Sequence, residues 1–231
     1  MRHLLQLSEE EARELHSKGE DRAEDIFVFV SVHVPDEIVE LAKSAKFETS
    51  MVLNHVDGRM QPTESLKRKS KSCQIRGYDS TYERLHRYLR KIAGGWFPEW
   101  YERFSHYFTL RPIYGDTAQA IRYDKGDYFE EHTDSGDFTD HFGEIDGNRV
   151  YRVLMCAIGL NDDYEGGELC FPSENKEFRL GRGDVLFFPA CARHYVKEIT
   201  KGSRYILLGQ YYSAMPKTHY DLYIDQFDRE Y

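Results

Sequence analysis

The stretch Gly147-Asn148-Arg149-Val150-Tyr151-Arg152-Val153-Leu154-Met155-Cys156-Ala157-Ile158-Gly159-Leu160-Asn161-Asp162-Asp163 decides the reading of the fold. An apolar run is bounded on each side by Gly, Asn and Asp, which is the pattern of a buried strand between turns. The same punctuation recurs around it. Ala118–Tyr123, Glu168–Phe171, Val185–Phe188, His194–Ile199 and Tyr205–Tyr212 are short apolar runs separated by Gly, Asp and Asn clusters. Many short strands with turn signals predict a sandwich, barrel or jelly roll.

Upstream of Phe108 the periodicity changes. Ser8-Glu9-Glu10-Glu11 has capping-box spacing and predicts a short helix ending near Gly19. Ile26–Val32 reads as a strand. Pro35 and Asp36 open an amphipathic helix through Lys46, with Ile38, Val39, Leu41 and Ala42 as its buried stripe. Phe47–Val56 reads as a second strand. Residues 57–72, with Leu66-Lys67-Arg68-Lys69-Ser70-Lys71, read as a mobile surface loop, its basic run either solvated or a lid. A helix follows from Ser80 to Ala93, stopped by Gly94-Gly95. Helices first and strands later predict an α+β domain whose helices buttress one face of the β core. The chain divides into a support region 1–107, a core 108–213 and a C-terminal tail 214–231.

At 231 residues the chain is one domain with an N-terminal extension. Lys plus Arg is 31 against 40 for Asp plus Glu, so the net charge is −9. Such a field repels phosphate and makes nucleic acid and anionic membrane poor partners. No apolar run approaches the roughly 18 residues of a membrane span, and the acidic start lacks a signal-peptide core. Cys73, Cys156, Cys170 and Cys191 form no CxxC pair and are expected as reduced, buried thiols in a cytoplasmic protein. Cys191, although three residues before His194, fits a small buried residue better than a metal ligand.

The chemistry lies in His132-Thr133-Asp134 and, 62 positions later, His194. In a strand, residues i and i+2 share a side, so His132 and Asp134 converge. Two imidazoles and one carboxylate on one face of an octahedron leave open positions suited to non-haem Fe(II) and oxygen. Arg204 opens a strongly apolar strand, and an inward Arg there needs an anion, such as the far carboxylate of a dicarboxylate cosubstrate. His86, His106, His141 and His219 have no such partners and read as ordinary histidines.

These residues belong to an ordered set: Ile121-Arg122-Tyr123-Asp124-Lys125-Gly126-Asp127-Tyr128-Phe129, His132-Thr133-Asp134, Leu160-Asn161, Gly166-Gly167-Glu168, Gly183-Asp184-Val185-Leu186-Phe187-Phe188-Pro189, His194 and Gly202-Ser203-Arg204-Tyr205. The set resembles the Fe(II)/2-oxoglutarate dioxygenases of the prolyl 4-hydroxylase type, closely over 118–213. The resemblance implies a double-stranded β-helix, a distorted jelly roll with the metal in its mouth. It implies that His132, Asp134 and His194 hold Fe(II), that Arg204 binds the 5-carboxylate of 2-oxoglutarate, and that Tyr123 faces the cosubstrate. Fe(II), 2-oxoglutarate and O2 would be required, with ascorbate an optional reductant. The implied reaction hydroxylates an unactivated C–H of a prolyl residue or of a free amino-acid-like molecule, releasing succinate and CO2. Relatives that install halide tend to have a small residue where this chain has Asp134, which favours hydroxylation.

Three departures bear on the pocket. Phe129 stands where relatives often carry Tyr. Gly159 stands where they often have a Tyr that helps hold the distal carboxylate. Gln210 stands where they often have a Trp near the iron, and its even spacing from Arg204 puts both on the inward face. A larger, more polar pocket is expected. Gln210 either replaces the missing Tyr or seats a polar, amine-bearing substrate. Arg152 either caps its strand or faces substrate. Asp137, Asp140, Glu144 and Asp146 serve solubility or attract a cationic group. Two rivals stand beside this reading: a cupin-like metalloenzyme without an oxo acid, and a jelly-roll binding or sensing module without turnover.

Overall fold

The structure, a computed structural model, describes residues 26–56, 59–63, 66–76, 80–105, 111–115 and 117–227. The helix expected over Ser8–Gly19 lies outside these residues. The core run reads as anticipated: Arg149–Gly159 is an 11-residue strand buried from Val150 onward, except at Arg152. It pairs antiparallel with the 17-residue strand Ile199–Met215, which pairs antiparallel on its other side with Thr117–Asp124. The larger sheet has the order Val28–Ser31, Asp184–Pro189, Arg149–Gly159, Ile199–Met215, Thr117–Asp124, Lys71–Arg76 and Glu48–Thr49. The smaller sheet runs Lys176–Phe178, Leu169–Phe171, His194–Val196, Tyr128–His132 and Arg68–Lys69. The pairings between described strands are antiparallel, and the two sheets form the α+β jelly roll that the strand pattern predicts.

Helices cover the outer face of the larger sheet. Asp36–Lys43 buries Ile38, Val39 and Ala42 as expected. The second helix corrects the sequence reading. It runs Glu83–Phe104, straight through Gly94-Gly95 and Pro98. Leu85, Leu89, Ala93, Phe97 and Trp100 form one buried stripe on both sides of the glycine pair. Phe97 stacks on Tyr211 of the long strand, ring centroids 4.6 Å apart and 9° from parallel. Burying an aromatic side chain contributes about 1.5–3 kcal/mol, which outweighs the roughly 1 kcal/mol a helical glycine costs. Gly94 and Gly95 face open space, where an added Cβ would meet nothing within 4 Å.

Residues 57–72 also differ from expectation. Instead of a loop they supply strands Arg59–Thr63 and Arg68–Lys69 and the start of Lys71–Arg76. The basic run is ordered because its cations reach the turn after Thr117–Asp124. Lys69 lies 3.6 Å from Asp127 and donates to the Gly126 carbonyl at 3.1 Å, while Lys71 pairs with Asp124. The tail contains a helix, Lys217–Phe227, which patterning alone left unread. Its Tyr220 stacks on Tyr151 at 3.8 Å, and the buried Tyr223 hydroxyl donates to the Val153 carbonyl.

Asp124 ties three strands together, accepting from Arg122 Nε at 2.7 Å, Ser203 Oγ at 2.7 Å and Lys71 Nζ. Burial opposes its ionisation, but the hydrogen bonds from Arg122, Lys71 and Ser203 prevail and hold the carboxyl well below the usual range. A carboxyl whose folded pKa is depressed adds stability that is fully present above its unfolded value near 4 and is lost as pH falls toward the folded value. Asp124→Asn is therefore expected to cost about 1–2 kcal/mol at pH 7, and denaturant titrations should show the gap to the parent closing below about pH 4. In contrast, Gly94→Ala and Gly95→Ala should each add about 0.5–1 kcal/mol, and the double variant should melt roughly 2–8 °C higher in a thermal scan.

Candidate active site

His132 ends strand Tyr128–His132 and His194 opens strand His194–Val196, and the two residues are direct cross-strand partners. Two residues on, the Asp134 N–H donates to the Ala190 carbonyl at 2.8 Å, so the carboxylate bends back over the histidine pair. One ligand atom from each of the three lies within 4.8 Å of the others. Asp134 oxygens stand 3.9 Å from His132 Nε2 and 3.5 Å from His194 Nε2.

The tautomers follow from the second ring nitrogens. His132 Nδ1 lies 2.8 Å from the Glu130 carbonyl and His194 Nδ1 lies 2.9 Å from the Ala192 carbonyl. A carbonyl only accepts, so each Nδ1 carries the hydrogen and each Nε2 turns its lone pair to the centre. Burial, reinforced by His194, pushes the His132 pKa down to about 4 and keeps this imidazole neutral. Burial alone would raise Asp134, but the two imidazoles and the Arg152 cation around it hold it below the ordinary range. Two imidazole nitrogens and one carboxylate on one side of a cavity suit a facial set for a divalent ion with open positions.

That cavity holds about 500 Å3 and is lined from both sheets, with the three ligands on one wall and Tyr123, Arg204 and Gln210 on the other. Arg204 is 1% exposed, yet its Nε and Nη1 have no hydrogen-bond partner in the protein. It pairs across the sheet with Tyr123, and its guanidinium carbon lies 5.4 Å from the centre of that ring. Its stem fits because Gly167 has no side chain: a Cβ there would lie 3.2 Å from Arg204 Cδ and 2.3 Å from Ile199 Cδ1. Leaving a buried cation with idle donors costs several kcal/mol unless an anion fills the place.

Gly159 does not open the pocket as expected. A Cβ at this position would lie 2.0 Å from the Gly181 carbonyl oxygen and 2.5 Å from that of Leu180. The room a tyrosine ring would need is taken by main chain. Phe129 does line the cavity, its ring 3.5 Å from that of His132.

Gln210 and Arg152 both line the cavity. Six residues of extended chain cover about 20 Å, so Gln210 stands at the end of the cavity away from Arg204 and cannot share its anion. The Tyr212 hydroxyl donates to Gln210 Oε1 at 2.5 Å, which uses one of that oxygen's two lone pairs and fixes which end of the amide faces Tyr212. Arg152 Nη1 donates to the Asp134 carbonyl at 3.1 Å and stands 3.9 Å from the Asp134 carboxylate. Its guanidinium carbon lies 4.4 Å from the Phe138 ring and 5.8 Å from that of Tyr212. Tyr212 was legible in principle, since it shares parity with Arg204 and Gln210; Phe138, in a segment with no periodicity, was not. The acidic segment is a scaffold rather than a rim: Asp137 pairs with Arg149 at 2.8 Å and accepts from Thr139 N–H at 2.9 Å. Glu144 and Asp146 are exposed and line no part of the cavity.

Comparison with known proteins agrees with this geometry. The family model of the 2OG-Fe(II) oxygenase superfamily matches residues 118–212. A PKHD-type hydroxylase of Idiomarina loihiensis is 33% identical over 116 residues, 48% of this chain and 49% of that one. One from Nitrobacter winogradskyi is 26% identical over 187 residues, 78% of this chain and 74% of that one. The match spans about half the length of the first of these relatives. Among solved structures, a Trichoplax adhaerens prolyl hydroxylase in complex with a hypoxia inducible factor peptide fragment has a TM-score of 0.56 at 16% identity, covering 92% of this chain and 94% of that one. The viral collagen prolyl hydroxylase of Paramecium Bursaria Chlorella virus-1 has a TM-score of 0.53 at 16% identity, covering 83% and 97%. With its facial ligand set and buried arginine in place, the β core of this chain is similar to the 2OG-Fe(II) oxygenase superfamily over residues 118–212, the stretch that carries His132, Asp134, His194 and Arg204.

Proposed function

We propose that this chain is an Fe(II)- and 2-oxoglutarate-dependent hydroxylase acting on an unactivated C–H of a prolyl residue or a free amino-acid-like molecule. The observation that carries the reading is Arg204, a fully buried cation with two idle donors, on the wall facing the His132, Asp134, His194 set. His132 Nε2, Asp134 and His194 Nε2 would hold the iron, and Arg204 would hold the distal carboxylate of the oxo acid. When bound, the iron and oxo acid supply O2 activation and decarboxylation to succinate and CO2. The chain's own part is to bind, orient and exclude water. The Glu130 and Ala192 carbonyls lock the imidazoles, Tyr123 walls the cosubstrate, and Phe129, Phe188 and Ile206 line the chamber with apolar surface. Buried free thiols at all four cysteines support a reducing, cytoplasmic setting. Among the described residues no helix is long and apolar enough to cross a membrane. A cupin-like site or a sensing module does not account for Arg204.

Purified protein given Fe(II), ascorbate and 2-oxoglutarate should release succinate. His194→Ala should lose that turnover while melting within a few degrees of the parent. Arg204→Ala should weaken 2-oxoglutarate binding about a hundredfold or more, as expected when one partner of a buried charge pair is removed. Calorimetric titration with Fe(II) should find metal affinity nearly unchanged in that variant. Equal 2-oxoglutarate affinity in both proteins would refute the assignment of Arg204.

A further inference from the structure

The cavity has a second polar end that iron and oxo acid leave unused. Gln210 and Arg152 both bring donors to it. Gln210 is 5% exposed, and its Oε1 is taken by the Tyr212 hydroxyl, so the amide turns its N–H2 group toward the cavity. Arg152 adds a guanidinium whose Nη1 is spent on the Asp134 carbonyl and whose buried Nε has no partner. Phe138 and Tyr212 lie over this guanidinium, shielding its faces from water and leaving its donors in the plane. Among the described residues the carboxylate paired with Arg152 is that of Asp134, 3.9 Å away. A carboxylate committed to a divalent ion no longer neutralises a neighbouring cation, so Arg152 is left with an unmatched charge whenever the metal site is filled.

We propose that Gln210 and Arg152 read a carboxylate on the substrate, so that the substrate is a carboxylate-bearing small molecule such as a free amino acid. The inference rests on the hydroxylase reading and deepens it. A guanidinium edge and an amide N–H2 suit the two oxygens of a carboxylate. A substrate ammonium would stand against the like charge of Arg152. An internal prolyl carbonyl would satisfy one donor and leave the charge uncompensated. A cavity of about 500 Å3 suits a metabolite beside the oxo acid. Gln210 is then a specificity residue, and Tyr212 a positioning residue that sets which way its amide points.

The test uses the full chain loaded with Zn(II) and N-oxalylglycine, so that binding is read by calorimetry without turnover. The probes are the proteinogenic amino acids, the amide and decarboxylated amine matching each binder, and a prolyl tripeptide blocked at both ends. At least one free acid should bind, its amide at least tenfold more weakly and its amine not at all. Gln210→Glu, nearly isosteric and still able to accept from Tyr212, should weaken the acid about a hundredfold by setting a carboxylate against it. Gln210→Leu should weaken it roughly tenfold, the loss of one donor to a charged acceptor. Failure of every acid to bind, equal or tighter binding by an amide, amine or blocked peptide, or unchanged acid affinity in Gln210→Glu would each overturn the proposal. Failure of N-oxalylglycine itself to bind would instead remove the hydroxylase reading, and this inference with it. Loss of N-oxalylglycine affinity in parallel with acid affinity in both variants would place Gln210 at the cosubstrate and also overturn the proposal.

Discussion

Everything in the site depends on one cross-strand pairing, that of His132 with His194. Neighbouring residues of an antiparallel ladder lie about 5 Å apart at Cα, so two imidazoles 62 residues apart in sequence are delivered together by backbone hydrogen bonds alone. Asp134 joins them through a backbone bond to Ala190, and Ala190 N–H in turn donates to the Val153 carbonyl. The ligand geometry is thus written in main-chain bonds of the sheets. Side-chain effects such as the lowered pKa of His132 follow from where those bonds put the rings.

The larger sheet supplies the opposite wall by an equally simple rule. Alternation along Ile199–Met215 brings Arg204, Ile206, Leu208 and Gln210 to the cavity. The strand passes from a lone cation, through apolar residues, to an amide and a second arginine on the adjoining strand. A reaction chamber with a dry middle and two polar ends is the consequence, with the metal ligands facing it from the smaller sheet. Preorganised donors of this kind cost little reorganisation when a ligand arrives.

The features legible in the sequence were those set by local period or by residue chemistry. The convergence of His132, Asp134 and His194, the burial of Arg204, the Asp36–Lys43 helix and the central strands all belong here. Features decided by tertiary contact were not. Gly94-Gly95 looks like a stop until Phe97 and Trp100 are seen to bury the turns beyond it. The basic run at 67–71 looks solvated until Asp124 and Asp127 are found beside it. Gly159 looks like a missing side chain, whereas the Leu180–Gly181 main chain fills its place. At Gln210 the residue type was informative but its direction was not, because a hydroxyl two residues away decides which end of the amide is offered.

The idle donors of Arg204 have a consequence for the life of the protein as well as for its chemistry. A desolvated charge without a partner belongs to the native state alone, since the unfolded chain returns it to water. Any anion that fills the site binds the native state and not the unfolded one, and so draws the folding equilibrium toward itself by mass action, by about 2.7 kcal/mol at a hundredfold excess over Kd. Quality-control proteases act on the small unfolded fraction. An anion seated on the buried Arg204 would therefore shrink the unfolded fraction on which such proteases act.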